Sequence, residues 1–329
     1  MGTHGSSDHH AQAAQEDHHE TPFRNGIVSE PNAAARDAAM RLAITMAVPA
    51  AIDLVASANS SSNTERLYAL QPVGTYFVRN DEDAPSLAPF IILLQDRDFI
   101  EPWHHLSATV LDDSTDPFRR AHGESVFQYT SLNPRFDKIF NTGMAQHSRL
   151  YMQAVLRAYH GFQDGKCLVD VGGGTGSSLA LIAAEYPHIR GINYDLPHVV
   201  AASPAYPGVE HVGGNMLESV PSGDTIFMKW ILHGWDDSEC VTILRNCFNA
   251  LPASGGKVIA VESVLPDLLL QSELGPGPTV ALRMDVMMLV GGRERTLQEF
   301  QELAKTAGFA SVSVVVSKDF LSVLEFNKA

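Results

Sequence analysis

Apolar residues recur every three or four positions from Ala33 to Ala56, at Met40, Ile44, Val48, Ile52 and Val55, the spacing of a helix with one buried face. Ser57 to Thr64 (SANSSSNT) holds no core-forming residue and reads as a polar linker. Leu67–Phe77 resumes with mixed apolar character, and Asn80–Pro85 has the composition of a turn. Helical patterns follow around Phe90–Val110 and Pro134–His160, so the segment before about residue 160 is predicted to be mainly α.

After Gly165 the period changes. β-rich runs at Cys167–Val171, Gly191–Tyr194, Val209–Val212, Thr225–Met228, Lys257–Val261, Ser311–Val316 and Leu321–Phe326 are interleaved with helical ones. The helices are predicted over Ser177–Glu185, over Asp237–Leu251 with Val241, Leu244, Phe248 and Leu251 on one face, and over Leu297–Ala307, stopped by Gly308. Strands alternating with helices imply an α/β fold with an open, mostly parallel sheet. The expected organisation is a tail over 1–32, a helical region over 33–160 and an α/β domain over 161–329.

Composition narrows the field without changing that picture. At 329 residues the chain suits two domains, and with 45% hydrophobic and 19% charged residues it has the make-up of a globular protein. A formal charge of -15 and the lack of any basic run argue against a nucleic-acid partner and favour a small molecule. Cys167, Cys240 and Cys247 are too scattered for a disulfide framework or a CxxC zinc site; reduced, packed thiols suit a cytosolic protein. The longest apolar stretch, Leu42–Ile52, is interrupted by Thr45 and Pro49 and falls well short of the ~20 residues of a membrane span. Five histidines (His4, His9, His10, His18, His19) sit in the polar N-terminal tail with no metal-ligand spacing, and disorder is expected there.

The strongest chemical signal is Leu168-Val169-Asp170-Val171-Gly172-Gly173-Gly174-Thr175-Gly176. An acid ends a buried strand, and glycines then let the backbone turn sharply and approach a ligand with no Cβ in the way. Amides at the start of the following helix can face a polar group. A dinucleotide fingerprint would need GxGxxG, but Thr175 and Ser177 stand where its third glycine would fall. The spacing is instead D-x-G-x-G-x-G, the pattern of S-adenosylmethionine methyltransferases. Asp195, in Tyr194-Asp195-Leu196-Pro197 at the end of the next strand, can accept both ribose hydroxyls.

With these residues in place, the chain resembles the plant-type small-molecule O-methyltransferases, and most of all the caffeic acid O-methyltransferases. The resemblance rests on LVDVGGGTG (168–176), YDLPHVV (194–200), GVEHVGGNM (208–216), FMKWILHGW (227–235), VESVLP (261–266) and GGRERT (291–296). Weaker similarity runs through SLAP (86–89), NPRFDKIFNTGM (133–144) and QHS (146–148). It implies a Rossmann-like S-adenosylmethionine-dependent methyltransferase fold, a winged-helix-like N-terminal dimerisation region, here truncated, and a homodimer. It implies that Gly172, Gly174, Asp195, Leu196, Asn215, Met216 and Lys229 hold the cofactor. His233 matches the family's general base, Glu262 and Glu294 its supporting glutamates, and Phe136, Phe140, Met144 and His147 the lining of a phenolic pocket.

Elementary chemistry agrees. A phenol (pKa ~10) is a poor nucleophile until it loses its proton, and a histidine (pKa ~6.5) can take it as the hydroxyl attacks. The mismatch of ~3.5 units, ~5 kcal/mol for complete prior transfer, can be offset by concerted transfer and by carboxylates that stabilise the imidazolium. The chain departs from the resembling enzymes at Gly234 and Asn215, where they usually carry aspartates. It departs also at Leu93 and Leu94, where the caffeic acid enzymes have a methionine and an asparagine, and in a shortened run at Met288–Gly291. These departures leave a flavonoid or another phenol open as acceptor. Three other readings are a catalytically weak cofactor-binding subunit, a nicotinamide oxidoreductase sharing only the sheet, and a metal-dependent methyltransferase. The glycine spacing disfavours the second, and no carboxylate cluster with metal-ligand spacing supports the third. The shortened N-terminal region predicts a weakened dimer and a more open acceptor pocket.

Overall fold

The computed structural model describes residues 52–60, 63–70, 72–78, 84–112, 114–267, 276–318 and 321–328, the first two segments by backbone alone. The chain divides into two compact units, Met1–Thr75 and Tyr76–Ala329.

In the first unit, β1 (Ile52–Ser60) and β2 (Asn63–Leu70) form an antiparallel hairpin with Ile52 opposite Leu70 and Ser60 opposite Asn63. This corrects two expectations. Ile52–Ala56 ends no helix, and Ser57–Thr64 is no linker. Ile52, Leu54, Ala56 and Ala58 in fact alternate with mostly polar residues, the period of a strand, and ladder hydrogen bonds come from the backbone whatever the side chains. The rest of the predicted Ala33–Ala56 helix and the 1–32 tail lie outside the described residues.

The second unit opens with short helices: α1 (Ala88–Leu94), α2 (Arg97–Ile100), α3 (Leu106–Leu111), α4 (Pro117–His122) and α5 (Val126–Leu132). The Phe90–Val110 pattern is thus broken into pieces. Asp96 starts α2 anew by accepting the Asp98 N–H at 3.0 Å, and Pro102, which has no N–H, sits in a 3-10 turn at Glu101–His105. The long α6 (Pro134–Ala158) starts from Asn133, whose side chain accepts the Phe136 N–H at 3.1 Å.

Then come β3 (Cys167–Val171), α7 (Ser177–Glu185), β4 (Arg190–Asp195), α8 (Pro197–Ala201), β5 (Val209–Gly213), β6 (Thr225–Lys229), α9 (Asp237–Ala250), β7 (Lys257–Glu262), β8 (Val264–Leu265), α10 (Pro276–Met288), β9 (Arg295–Thr296), α11 (Leu297–Ala307), β10 (Ser311–Lys318) and β11 (Leu321–Asn327). Seven strands make one sheet in the order β10-β11-β7-β6-β3-β4-β5. β5, β4, β3, β6 and β7 are parallel, and β11 runs antiparallel to both β7 and β10.

The sheet is buried on both faces. Val169, Val171, Ile226 and Met228 pack with Ile243, Leu244 and Cys247 of α9 and Phe300 of α11, while Leu168, Phe227 and Ile259 pack with Met152 and Val155 of α6 and Leu179 of α7. This explains why the strands read as near-continuous apolar runs. The chain leaves β3 toward β4 and β5 on one side, then crosses back to β6 and β7 on the other. Ligands of open α/β sheets bind at such a reversal, outside the carboxyl ends of the strands.

Candidate active site

At the carboxyl end of β3, Gly172 and Gly174 take left-handed φ values of 66° and 57°, which a side chain would strain. The Gly172 N–H donates to the Tyr194 carbonyl at 2.8 Å, tying the loop to β4. A Cβ on Gly174 would meet nothing within 4 Å, so the loop opens on empty space there, whereas one on Gly173 would strike Asn193 and Asp170. Asn193, fully buried beneath the loop, donates from Nδ2 to the Gly174 carbonyl at 2.9 Å. Asp195 closes the frame: its carboxylate accepts the Gly174 N–H at 2.7 Å and the Leu196 N–H at 2.6 Å. Burial raises its pKa against these two bonds.

One cavity runs from this loop to the end of β6. Gly172, Gly174, Asp195, Leu196, Asn215, Met216, Lys229, Phe140, Met144 and His233 all line it. Phe136 and His147, which the resemblance placed on the pocket wall, lie behind it. Phe136 is fully buried among Leu93, Phe118 and Val290. The His147 ring packs between Phe90, Tyr151 and Trp230, with centroids at 4.8, 4.3 and 4.0 Å. Burial, with the nearby charges of Lys229 and His233, holds His147 well below the usual imidazole pKa. Both residues sit on the inward face of α6, where a single sequence does not separate packing from lining. Phe127, Trp230, Trp235, Met287 and Met288 line the cavity without having been anticipated; aromatic and methionine residues at helical spacing read as core.

The base candidate sits on a turn built for it. After β6 the backbone of Trp230 takes φ 55°, the one left-handed non-glycine among the described residues, and a bulky residue there is strained. Its N–H still donates to the Val261 carbonyl at 2.9 Å, and a 3-10 turn at Leu232–Gly234 follows. Glu262, fully buried at the end of β7, accepts the Ile231 and Leu232 N–H groups on Oε1 at 3.0 and 2.9 Å. The two glutamates therefore divide the work: Glu262 holds the turn, and Glu294 alone touches the imidazole, with Oε1 3.0 Å from His233 Nδ1. A carboxylate only accepts, so Nδ1 carries the proton and Nε2 is left as a base. Ligand atoms of His233, Glu262 and Glu294 also lie within 4.8 Å of one another, close enough to hold a cation. This corrects the expectation that no carboxylate cluster has metal-ligand spacing: the Oε1 atoms of Glu262 and Glu294 are engaged by the N–H donors just described, while the buried Oε2 of each has no hydrogen-bond partner in the protein.

At the cofactor end, Asp170 and Lys229 are buried cavity residues whose Oδ2 and Nζ atoms have no hydrogen-bond partner in the protein. Burial drives both toward neutrality, the Asp170 carboxyl up to about 8 and the Lys229 ammonium down to about 8. An unsatisfied acid and an unsatisfied amine beside a glycine loop fit a ligand with both an ammonium and a carboxylate, and Asp195 fits its ribose. S-adenosylmethionine carries all three.

Residues 103–310 match the family described as an O-methyltransferase domain. The chain is 49% identical over 279 residues to desmethyl-yatein O-methyltransferase of Sinopodophyllum hexandrum, covering 83% of this chain and 78% of that protein. It is 50% identical over 248 residues to caffeic acid 3-O-methyltransferase 1 of Ocimum basilicum, covering 74% and 67%. The chain belongs to the O-methyltransferase family. A solved methyltransferase of calicheamicin biosynthesis, in its SAH-bound form, shares the fold with TM-score 0.68 at 26% identity over 89% of this chain and 84% of that one. S-adenosylmethionine is the cofactor of this family of O-methyltransferases, and the glycine loop and Asp195 lie on the one cavity described above.

Proposed function

We propose that this enzyme methylates a phenolic hydroxyl, of a hydroxycinnamate, catechol or flavonoid, with His233 as general base. The observation that carries the reading is the His233 imidazole, paired behind with the buried Glu294, lining the same cavity as the glycine loop. S-adenosylmethionine supplies an electrophilic methyl group on a sulfonium. Gly172, Gly174, Asp195, Leu196, Asn215, Met216 and Lys229 hold it; Phe140 and Met144 face the aromatic acceptor. His233 Nε2 takes the phenolic proton while Nδ1–H stays on Glu294, whose charge offsets that of the imidazolium. Glu262 keeps the turn beneath the imidazole in place. The caffeic acid enzyme among the relatives supports a phenolic acceptor.

We take residues 33–160 as the region that covers the pocket and supports a homodimer, and 161–329 as the cofactor domain. Among the described residues no helix is long and apolar enough to cross a membrane, and three free thiols, two of them buried, suit the reducing cytosol. Replacing His233 by Ala should leave S-adenosylmethionine binding, read by calorimetry, unchanged and lower turnover by roughly 10²–10⁴-fold. Near-wild-type initial rates would remove His233 from the role. A wild-type enzyme that binds cofactor but turns over no phenol would be a partner subunit instead.

A further inference from the structure

We propose that His233, Glu262 and Glu294 form a site for a late first-row dication, with Zn²⁺ as the probe, and that metal bound there switches methyl transfer off. The inhibition, though not the site, rests on His233 as the base. One ring nitrogen of His233 and one carboxylate oxygen from each glutamate lie within 4.8 Å of one another. Three ligands ~2.1 Å from a single zinc ion stand about 3.4 Å apart in a tetrahedron, so small side-chain rotations close the set. An imidazole with two carboxylates is a donor set that suits zinc.

A second observation points to a cation. Glu262 and Glu294 are 0% and 2% exposed, and the Oε2 atom of each has no hydrogen-bond partner in the protein. Among the described residues neither carboxylate pairs with an arginine or a lysine. Arg293 pairs with Asp237 and Glu299. Arg295 reaches Asp237 and the Leu232 and Trp235 carbonyls, and Lys229 Nζ bonds to neither glutamate. Two buried acids beside one imidazole leave negative charge that a dication neutralises. The ligands are also held from behind. Glu262 Oε1 accepts two backbone N–H groups, and the Glu294 N–H donates to Asp285 Oδ1 at 2.9 Å; such outer contacts orient a metal ligand. Entry is through the cavity that His233 lines.

The nitrogen that faces Glu294 is Nδ1. A metal needs its lone pair, so the proton leaves Nδ1 and one is taken up at Nε2, with no net change in the charge of the imidazole. Nε2–H then points at the acceptor as a donor and cannot take the phenolic proton. The pocket itself stays open.

The test measures initial rates of the full-length enzyme on a phenol against Zn²⁺, with calorimetry of zinc binding alongside. Saturating zinc should lower kcat by roughly 10²–10⁴-fold, the range for loss of a general base, while the acceptor KM moves less than about threefold. Excess EDTA should restore the rate, and EDTA alone should leave it unchanged. Glu262→Gln should bind zinc at this site about 100-fold more weakly or worse, since the loss of an outer contact alone costs 10–100-fold, and should still bind S-adenosylmethionine. Glu294→Gln should do the same, so the test stands if one variant does not fold. The five histidines of the tail and Cys167 also offer zinc ligands. They are present in both variants, so the difference from wild type reads the triad, and Cys167→Ser should be inhibited as wild type is. Equal zinc binding by wild type and both variants, inhibition competitive with the phenol, or a rate that needs metal would each overturn this inference and leave phenol methylation standing. An enzyme that binds cofactor and takes zinc at the triad but methylates no phenol would overturn the proposed function and support the site.

Discussion

Opposed effects meet on the His233 imidazole. Burial lowers its pKa, but the hydrogen bond and charge of Glu294, helped by the charge of Glu262, more than offset that and leave it above the ordinary value. A base must be unprotonated, so kcat/KM should climb as pH rises through this raised pKa, with its acid limb above ~6.5. Glu294→Gln keeps an acceptor for Nδ1–H but removes the charge. The acid limb should then move to lower pH, and the plateau rate should fall about 10–100-fold, because the imidazolium loses its counter-charge. Stability follows the same sign: the pair's contribution is complete below the unfolded pKa and is lost as pH rises through the folded one. A pH–rate profile of the variant with an unmoved acid limb would separate Glu294 from the base. At this scale the sequence was legible where chemistry forces the residue type. The glycine loop stood out because a plain turn does not need four glycines in five residues, and it lent weight to Asp195, whereas His233 stood out only through the resemblance carried by FMKWILHGW; the structure puts Gly172, Gly174, Asp195 and His233 on one cavity. Phe127 could not be picked out, since a wall aromatic and a core aromatic carry the same pattern, and neither could the division of labour between Glu262 and Glu294, which depends on which hydrogen atoms each one meets.

Around that imidazole the turn at Ile231–Trp235 is fastened from three elements. Glu262 of β7 takes its amides, the Arg293 N–H donates to the His233 carbonyl at 2.9 Å, and Arg295 of β9 spans its far side. The Arg295 guanidinium is fully buried; it donates to the Leu232 and Trp235 carbonyls, both at 2.7 Å, and to Asp237 at the start of α9. A planar fork can bridge two carbonyls and a carboxylate at once, and an ammonium cannot. Arg295→Lys should therefore keep the charge yet loosen the base, lowering kcat about 10–100-fold, as misplacements near 1 Å do, with the Kd for S-adenosylmethionine unchanged. Rates equal to wild type, with cofactor affinity measured alongside, would show that the turn is rigid without it. The seven strands and three helices predicted after residue 165 fall within two residues of those observed, because buried strands are apolar runs and α9 and α11 begin at Asp236 and Thr296 capping boxes, whereas α8, β8, α10 and β9 went unread. The clamp went unread too. GGRERT shows as a charge cluster in sequence, and only β8–β9 pairing turns one of its arginines inward.

Across the whole molecule, the residues of the proposed site come from the unit Tyr76–Ala329, which also contains the span that matches the family. The cavity lining begins at Phe90 and ends at Gly291. The unit Met1–Thr75 contributes the β1–β2 hairpin, in a region where periodicity had suggested a helix and a linker. Ile52 and Val55 also fit a helical period, and Ser57–Thr64 holds no core-forming residue, so the strand alternation was masked and the sequence misled there. Among the described residues β1 pairs with β2 alone; a hairpin of two strands is marginal by itself in water, and a strand edge left unpaired can pair with another chain. A homodimer that uses this unit would satisfy both needs. Removing residues 1–75 should then leave a folded monomer that binds S-adenosylmethionine within about threefold of the full chain, while the full chain dimerises with an affinity that dilution can reverse. Analytical ultracentrifugation over a concentration series, paired with calorimetry on the truncated enzyme, reads both quantities. A truncated protein that still dimerises would place the interface within Tyr76–Ala329, and one that no longer binds cofactor would show that the second unit does not hold its glycine loop unaided.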